Sequence, residues 1–276
     1  MELMNKTVGE MLKEQAIQYP ENEAYVYPER RLRITYTEFD RETDRLAKAF
    51  MGIGIQKGEH VAIWSDNKPQ WLLSQFATGK MGAVLVTVNT NYQAAELQYL
   101  LQQSEATTLI LDEGFKGTCY LEILRSICPS QEESDGGRIN CPSLPNLKRV
   151  ILMTEKNEVG IYNWSEFLHH EEMVLDEEFE QRRNSLHPDD VINIQYTSGT
   201  TGFPKGVMLT HNNVVNNGNM IGGTMKLTNE DRVCIPVPFF HCFGCVLGTM
   251  AAVTHGATMV IVEQFEPARV LRAVQD

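Results

Sequence analysis

The run 196–206, YTSGTTGFPKG, gathers residue types suited to one kind of chemistry. Glycines at 199, 202 and 206 permit positive φ and let backbone N–H groups face a ligand with no side chain in the way. The hydroxyls of Thr197, Ser198, Thr200 and Thr201 can donate to phosphate oxygens, and Lys205 adds a point charge. Together they make an anion cradle for a polyphosphate. A surface hairpin rich in Gly, Ser and Thr would share this composition, but it does not account for a lysine directly after a rigid proline. The run is not a Walker loop, because Pro204 precedes Lys205 and a strand pattern follows. It is not a nucleophile elbow either, since no glycine stands two residues before Ser198.

The elements that hold this run alternate. Ile192, Ile194 and Tyr196 interleave with Asn193 and Gln195, which predicts a strand entering the loop. Val207 and Leu209 predict a second strand leaving it, with a helix from about 212 to 220. Upstream, helical spacing at Val8, Leu12 and Ala16 precedes short strands at 24–27 and 32–36. Thr37 reads as the N-cap of a helix bearing Phe39, Leu46, Ala47 and Phe50, closed by Gly52 and Gly54. Strands at 61–64, 82–88, 107–111 and 150–153 alternate with helices at 69–81 and 94–103. The apolar runs at 82–88 and 61–64 are of the kind that parallel sheets bury on both faces. The expected class is α/β, with a mostly parallel sheet covered by helices. The stretch 129–146, rich in Ser, Pro, Gly and charge, reads as a surface loop or weak internal boundary. The acidic stretch 165–186 reads as a solvated face.

The chain has 276 residues, 42% apolar and 22% charged, which is globular composition with room for a sizeable core. With 24 basic and 36 acidic residues the net charge is −12, so sequence-independent binding to nucleic acid or anionic lipid is not expected. No basic start followed by an apolar stretch marks a signal peptide, and the expected setting is soluble and cytoplasmic. Residues 233–262 carry no formal charge apart from histidine, yet Pro236, Pro238, Gly244, Gly248 and Gly256 punctuate them. They read as strand, loop, a buried helix at 243–253 and a buried strand at 257–262, not a membrane span. The six cysteines are expected to be free thiols. Cys242 and Cys245 form a C-x-x-C that, with His241 and Cys234, leaves zinc open; buried structural cysteine is the favoured reading and no metal ligand is assigned.

The 196–206 run resembles the phosphate-loop motif of the adenylate-forming (AMP-binding) enzymes: acyl- and aryl-CoA synthetases, firefly-type luciferases and peptide-synthetase adenylation domains. The resemblance covers the whole chain. LRITYTEF at 32–39, the stretch 79–100, LPNLKRVIL at 144–152 and PVPFFHCFG at 236–244 are similar to successive segments of that family, most closely to its fatty acyl-CoA synthetases. It implies the large N-terminal domain of the adenylate-forming fold, with layered, mostly parallel sheets flanked by helices.

The implied reaction has two steps. A small-molecule carboxylic acid and ATP give an acyl-adenylate and pyrophosphate; coenzyme A then displaces AMP. By motif, Thr197, Ser198, Gly199, Thr200, Thr201, Gly202 and Lys205 would hold the β- and γ-phosphates, with Mg²⁺ as the metal cofactor. His241, with Phe240 and Phe243, would line the junction between the acyl carboxylate and the thioester; a histidine in this position also suits a core beside an apolar helix. No acidic residue lies between Arg232 and Glu263, so a plain fatty or aryl acid fits better than an amino acid. Family members run to about twice this length. The adenine-stacking, ribose-binding, hinge and lid motifs are not found here, and the helix begun at Pro267 has no cap or following strand. The expectation is therefore a truncated, partial AMP-binding N-terminal domain over 1–276 that lacks the C-terminal lid and is inactive alone. It would be completed by the missing half or a homo-oligomer. The alternatives are a non-catalytic or degenerate nucleotide-binding remnant, or an aryl-CoA ligase.

Overall fold

The computed structural model describes residues 3–129, 139–197 and 204–275. The first stretch runs α1 (Val8–Gln18), β1 (Glu23–Tyr27), β2 (Leu32–Thr35), α2 (Tyr36–Gly52), β3 (His60–Trp64), α3 (Pro69–Met81), β4 (Val84–Thr87), α4 (Ala94–Gln103) and β5 (Thr108–Leu111). A small hairpin of β6 (Gly114–Phe115) and β7 (Thr118–Cys119) leads to α5 (Tyr120–Ile127). The middle holds β8 (Arg149–Leu152), α6 (Trp164–His169), α7 (Asp176–Asn184) and β9 (Val191–Thr197). The last part holds β10 (Lys205–Thr210), α8 (His211–Met225), β11 (Arg232–Ile235), a π-helical turn (Phe243–Gly248), α9 (Thr249–Thr254), β12 (Thr258–Ile261) and α10 (Pro267–Gln275).

Two principal sheets result. One has the order β10-β9-β4-β3-β5-β8, parallel except for the antiparallel β9–β10 hairpin. The other has the order β11-β12-β1-β2, in which only β1–β2 is antiparallel. The expected α/β class with mostly parallel, helix-covered sheets holds. The strands β4, β5 and β12 are buried at every residue, as parallel strands covered on both sides must be.

Helix starts follow side-chain chemistry. Thr7 and Glu10 form a capping box on α1, and Thr35 and Glu38 form one on α2. The cap of α2 is thus Thr35, not Thr37: the hydroxyl that can reach the N3 amide belongs to the last residue of β2, whereas Thr37 donates to the Pro20 carbonyl. Pro69 opens α3 and Gly82 closes it in the left-handed region (φ +79°); a Cβ there would lie 2.5 Å from Leu186 Cδ2.

A central core joins α1, α2 and α3 to both sheets, with Phe39 edge-on to Tyr25 and Phe76 at 5.1 and 4.9 Å. A second core lies on the other face of the six-stranded sheet, where Trp64 stacks on Tyr120 at 3.7 Å. The acidic stretch is a solvated face tied down by ion pairs: Arg45 meets Glu171, Lys48 meets Asp176 and Arg183 meets Glu180. The uncharged run 233–262 divides among β11, the π-turn, α9 and β12; no described helix is long and apolar enough to cross a membrane.

The cysteines require a correction. Cys128 and Cys141 are joined in a disulfide, with Cα atoms 5.1 Å apart and both residues buried. The chain leaves α5 at Ile127 and returns toward β8, which brings the two residues together; their spacing in sequence carries no such signal. Cys119, Cys234, Cys242 and Cys245 are free. Of the C-x-x-C pair only Cys245 is buried, its thiol pushed up to about 12 by burial, while Cys242 is exposed. No group of three or more His, Cys, Asp or Glu suited to a metal gathers among the described residues.

One histidine links the start of α8 to α1. His211, the first residue of α8, is fully buried, and its Nδ1 accepts the Val8 backbone N–H at 3.0 Å. Burial lowers its pKa from 6.5 to about 4 against weaker opposing fields from Asp190 and Glu10. The folded state then binds fewer protons than the unfolded chain between those two values. Stability is full above pH 6.5 and falls by about 3 kcal/mol as pH drops toward 4. Urea denaturation at pH 7.5 and 4.5 checks this: His211→Gln is expected to lose most of the difference, and an unchanged pH slope would reject the assignment.

Candidate nucleotide and acid site

The phosphate-loop candidates sit on the β9–β10 hairpin. Its register sets Lys205 opposite Thr197 and Gly206 opposite Tyr196, so the two ends of the loop are held side by side. Thr197 and Lys205 are both exposed at that end. Ser198, Gly199, Thr200, Thr201 and Gly202 lie outside the described residues. The hairpin is anchored to α4: Tyr99 Oη donates to the Pro204 carbonyl at 3.2 Å, and Tyr196 Oη bonds to Gln103 Oε1. Burial pushes the Tyr196 phenol up to about 12, so it stays a neutral hydrogen-bonding group. After β10, Thr210 and Asn213 form a reciprocal cap that starts α8.

His241 follows the C-terminal end of β11. Asn67, at the start of the segment after β3, clamps the approach to it: Nδ2 donates to the carbonyls of Val237 (2.8 Å) and Val262 (3.1 Å), and Oδ1 accepts the Phe239 N–H at 2.7 Å. Phe239 is buried against Trp71 with ring centroids 5.1 Å apart. The His241 side chain is exposed, and its Nδ1 accepts the Phe243 N–H at 3.1 Å. Nδ1 acts here as an acceptor, which leaves Nε2 as the ring nitrogen free to donate. A core histidine is thereby rejected. Phe243 is half exposed, at 49%, whereas its neighbour Phe240 is partly covered.

Beside His241 runs an apolar groove of about 1090 Å³, walled by Leu209, Met220, Ile221, Phe243, Val246 and Leu247. It lies between α8, the π-turn and residues 3–5; Asn5, Asn212, Asn213, Asn216 and Asn217 share its lining, and no acidic residue among the described ones does. Gly218 and Gly222 let α8 close on α9; a Cβ on Gly218 would stand 2.6 Å from Met250 Cβ. The apolar part of such a groove can take an uncharged chain or ring.

A second feature was missed from the sequence. A crevice of about 200 Å³ is lined by Asp66, Asn67, Thr90, Lys116, Phe240 and Glu263, among others. These segments all follow the C-terminal ends of strands, where open α/β sheets bind ligands. The Trp64 indole donates to the Asn89 carbonyl and the Tyr120 hydroxyl to the Thr90 carbonyl, fixing the turn after β4. Burial raises the Asp66 carboxyl above its ordinary range although Lys68 opposes it. The available signal was the polar run that breaks each buried strand, SDN at 65–67 and NTN at 89–91.

The model of the "AMP-binding enzyme" family matches residues 12–276. This chain belongs to the AMP-binding enzyme family. It is 52% identical to "Putative acyl-CoA synthetase YngI" of Bacillus subtilis, over 99% of this chain and 50% of that protein. It is 38% identical to the mitochondrial medium-chain acyl-CoA ligase ACSF2 of Bos taurus, over 99% of this chain and 45% of that one. The AMP-binding fold is seen again in a long-chain-fatty-acid-CoA ligase from Archaeoglobus fulgidus, with a TM-score of 0.78 at 22% identity, covering 99% of this chain and 50% of that one. The chain thus spans about half the length of the curated relatives it matches.

Proposed function

We propose that this chain supplies the phosphate loop and acid groove of an ATP-dependent acyl-CoA synthetase. The observation that carries the reading is the hairpin register, which sets Lys205 against Thr197 at the mouth of a Ser/Thr/Gly loop. The similarity to proteins named acyl-CoA synthetases and ligases supports it. In this reading a carboxylate oxygen attacks the α-phosphorus of ATP and pyrophosphate leaves with the electrons of the broken P–O bond. The thiolate of coenzyme A then attacks the acyl carbon and AMP departs.

Thr197, Ser198, Gly199, Thr200, Thr201 and Gly202 hold the β- and γ-phosphates through hydroxyls and backbone amides, and Lys205 offsets the charge that grows on the leaving group. His241, next in sequence to the groove residues Cys242 and Phe243, offers Nε2 as a donor that can orient the acid carboxylate. Mg²⁺ would supply counter-charge to the triphosphate, and no carboxylate among the described residues is assigned to hold it. The groove's apolar walls favour a fatty or aryl acid.

The test is ATP–pyrophosphate exchange with a panel of straight-chain, aryl and amino acids, run beside ATP titration of the same protein. Exchange stimulated by fatty or aryl acids and not by amino acids is expected wherever the reaction is completed. Saturable ATP binding without acid-dependent exchange supports instead a non-catalytic nucleotide-binding role. No ATP binding at all would reject the loop assignment.

A further inference from the structure

Between the strand entering the phosphate loop and the turn following His241 lies a set of buried amides that the chemistry above does not use. Asn193 and Gln195 on β9 are only 5 and 6% exposed. Gln195 Nε2 donates to Asn193 Oδ1 at 2.8 Å and to Cys245 Sγ at 3.0 Å, and Thr87 Oγ1 donates to Gln195 Oε1 at 3.4 Å. From the other side Gln75 on α3 donates Nε2 to the Cys245 carbonyl at 2.7 Å, and the Thr249 hydroxyl donates to the same carbonyl. Cys245 is fully buried in the middle of the π-turn. Gln75, Asn193 and Val246 also meet around a cavity of about 10 Å³, barely the space of one water molecule.

Two amides from separate elements therefore grip one residue, by its thiol and by its carbonyl. A π-turn is an uncommon, wide geometry that recurs at functional sites, and buried amides are costly unless satisfied. Hydrophobic packing alone would hold the turn in place without specifying its register.

We infer that Gln75 and Gln195 are positioning residues for the acid site: by fixing Cys245 they set the π-turn, and hence the Phe243, Val246 and Leu247 wall of the groove, against the strand that opens the phosphate loop two residues past Gln195. The inference rests on the reading that the groove takes the acid. Buried amides that only stabilise the core would change stability alone. Positioning amides change acid binding and the local protection of Cys245, and they leave ATP binding in place.

The test uses Gln75→Met and Gln195→Met, which keep the volume and remove the donor, with Leu124→Ala in the second core as a destabilised control. Labelling of Cys245 by a thiol reagent under native conditions is followed by peptide mapping, and decanoate and ATP are titrated by calorimetry. Each Met variant is expected to label Cys245 about tenfold faster than the control and to bind decanoate about tenfold more weakly, the scale of one lost hydrogen bond. ATP affinity is expected to stay within about twofold. Thr249→Val, a milder change, takes the place of either Met variant that does not fold. Labelling no faster than in Leu124→Ala overturns the positioning role, as does unchanged decanoate affinity in a protein that binds it. If the unsubstituted protein binds no decanoate, the groove assignment fails instead, and labelling alone decides whether the amides hold the turn.

Discussion

Replacing Lys80 with alanine is expected to cost about 3–5 kcal/mol of folding stability, the range for breaking a buried ion pair by removing one partner. The Lys80 side chain is fully buried on α3, and its Nζ meets Asp40 Oδ1 at 2.6 Å, Asp44 Oδ1 at 2.5 Å and the Asp40 carbonyl at 2.8 Å. The two aspartates stand one turn apart on α2, so a single ammonium group bridges them. Alanine leaves a cavity beside the Gly9 backbone of α1, whose missing Cβ would lie 3.0 Å from Lys80 Cγ. It also leaves two carboxylates facing each other.

Those side chains are 18 and 29% exposed, so they can recover some hydration, which places the loss toward the lower end of the range. Lys80→Met keeps the volume and separates the two contributions: it should recover the cavity portion, about 1–2 kcal/mol, and leave Asp40 without its partner and Asp44 with Arg183 alone, at 3.9 Å. Urea denaturation monitored by tryptophan fluorescence reads both. A loss under about 1 kcal/mol for Lys80→Ala would mean that the pair is screened like a surface one. The consequence reaches the site, because α3 also carries Gln75.

Lys205→Ala is expected to weaken ATP binding by about 10- to 100-fold, the equivalent of one charged hydrogen bond to phosphate. The side chain is exposed at the start of β10 and lies opposite Thr197, so its removal disturbs no core contact, and the melting temperature should stay unchanged. Lys205→Arg keeps the charge but presents a planar fork in place of a compact ammonium, and should recover only part of the affinity. Affinity for AMP, which lacks the β- and γ-phosphates, should change far less. Equal losses for ATP and AMP, or no loss for either, would remove Lys205 from the phosphate site. Isothermal titration of the two nucleotides against the three proteins makes the comparison.

The strands and helices around the phosphate loop were legible because each rests on a local signal. The apolar runs of β3 and β4, the helical spacing of α2 and α3, and Pro69 before a helix state their own conformation. Misreadings arose where two local signals competed or where distance mattered. Thr37 reads as the cap, yet the cap is Thr35, because its hydroxyl lies at the strand–helix corner with Glu38 three residues on. On β9 the alternation of Ile with Asn and Gln suggests one wet face. Both faces are buried: Gln195 meets Cys245 and Thr87, far away in sequence, and also donates to Asn193. His241 was named from its motif, but its exposure and the acceptor role of its Nδ1 depend on the Asn67 clamp and on the Phe243 amide.

What the sequence by itself determined is the α/β class and the alternation of the strands and helices around β3, β4, β5, β9 and β10, since hydrophobic period and turn residues act within a few residues. Only the tertiary structure decided the Cys128–Cys141 pairing, the crevice around Asp66 and Lys116, the Lys80 bridge and the amide grip on Cys245. Each of these brings together residues from different elements, and the free energy that selects them comes from burial and hydrogen bonding between partners that no local pattern links.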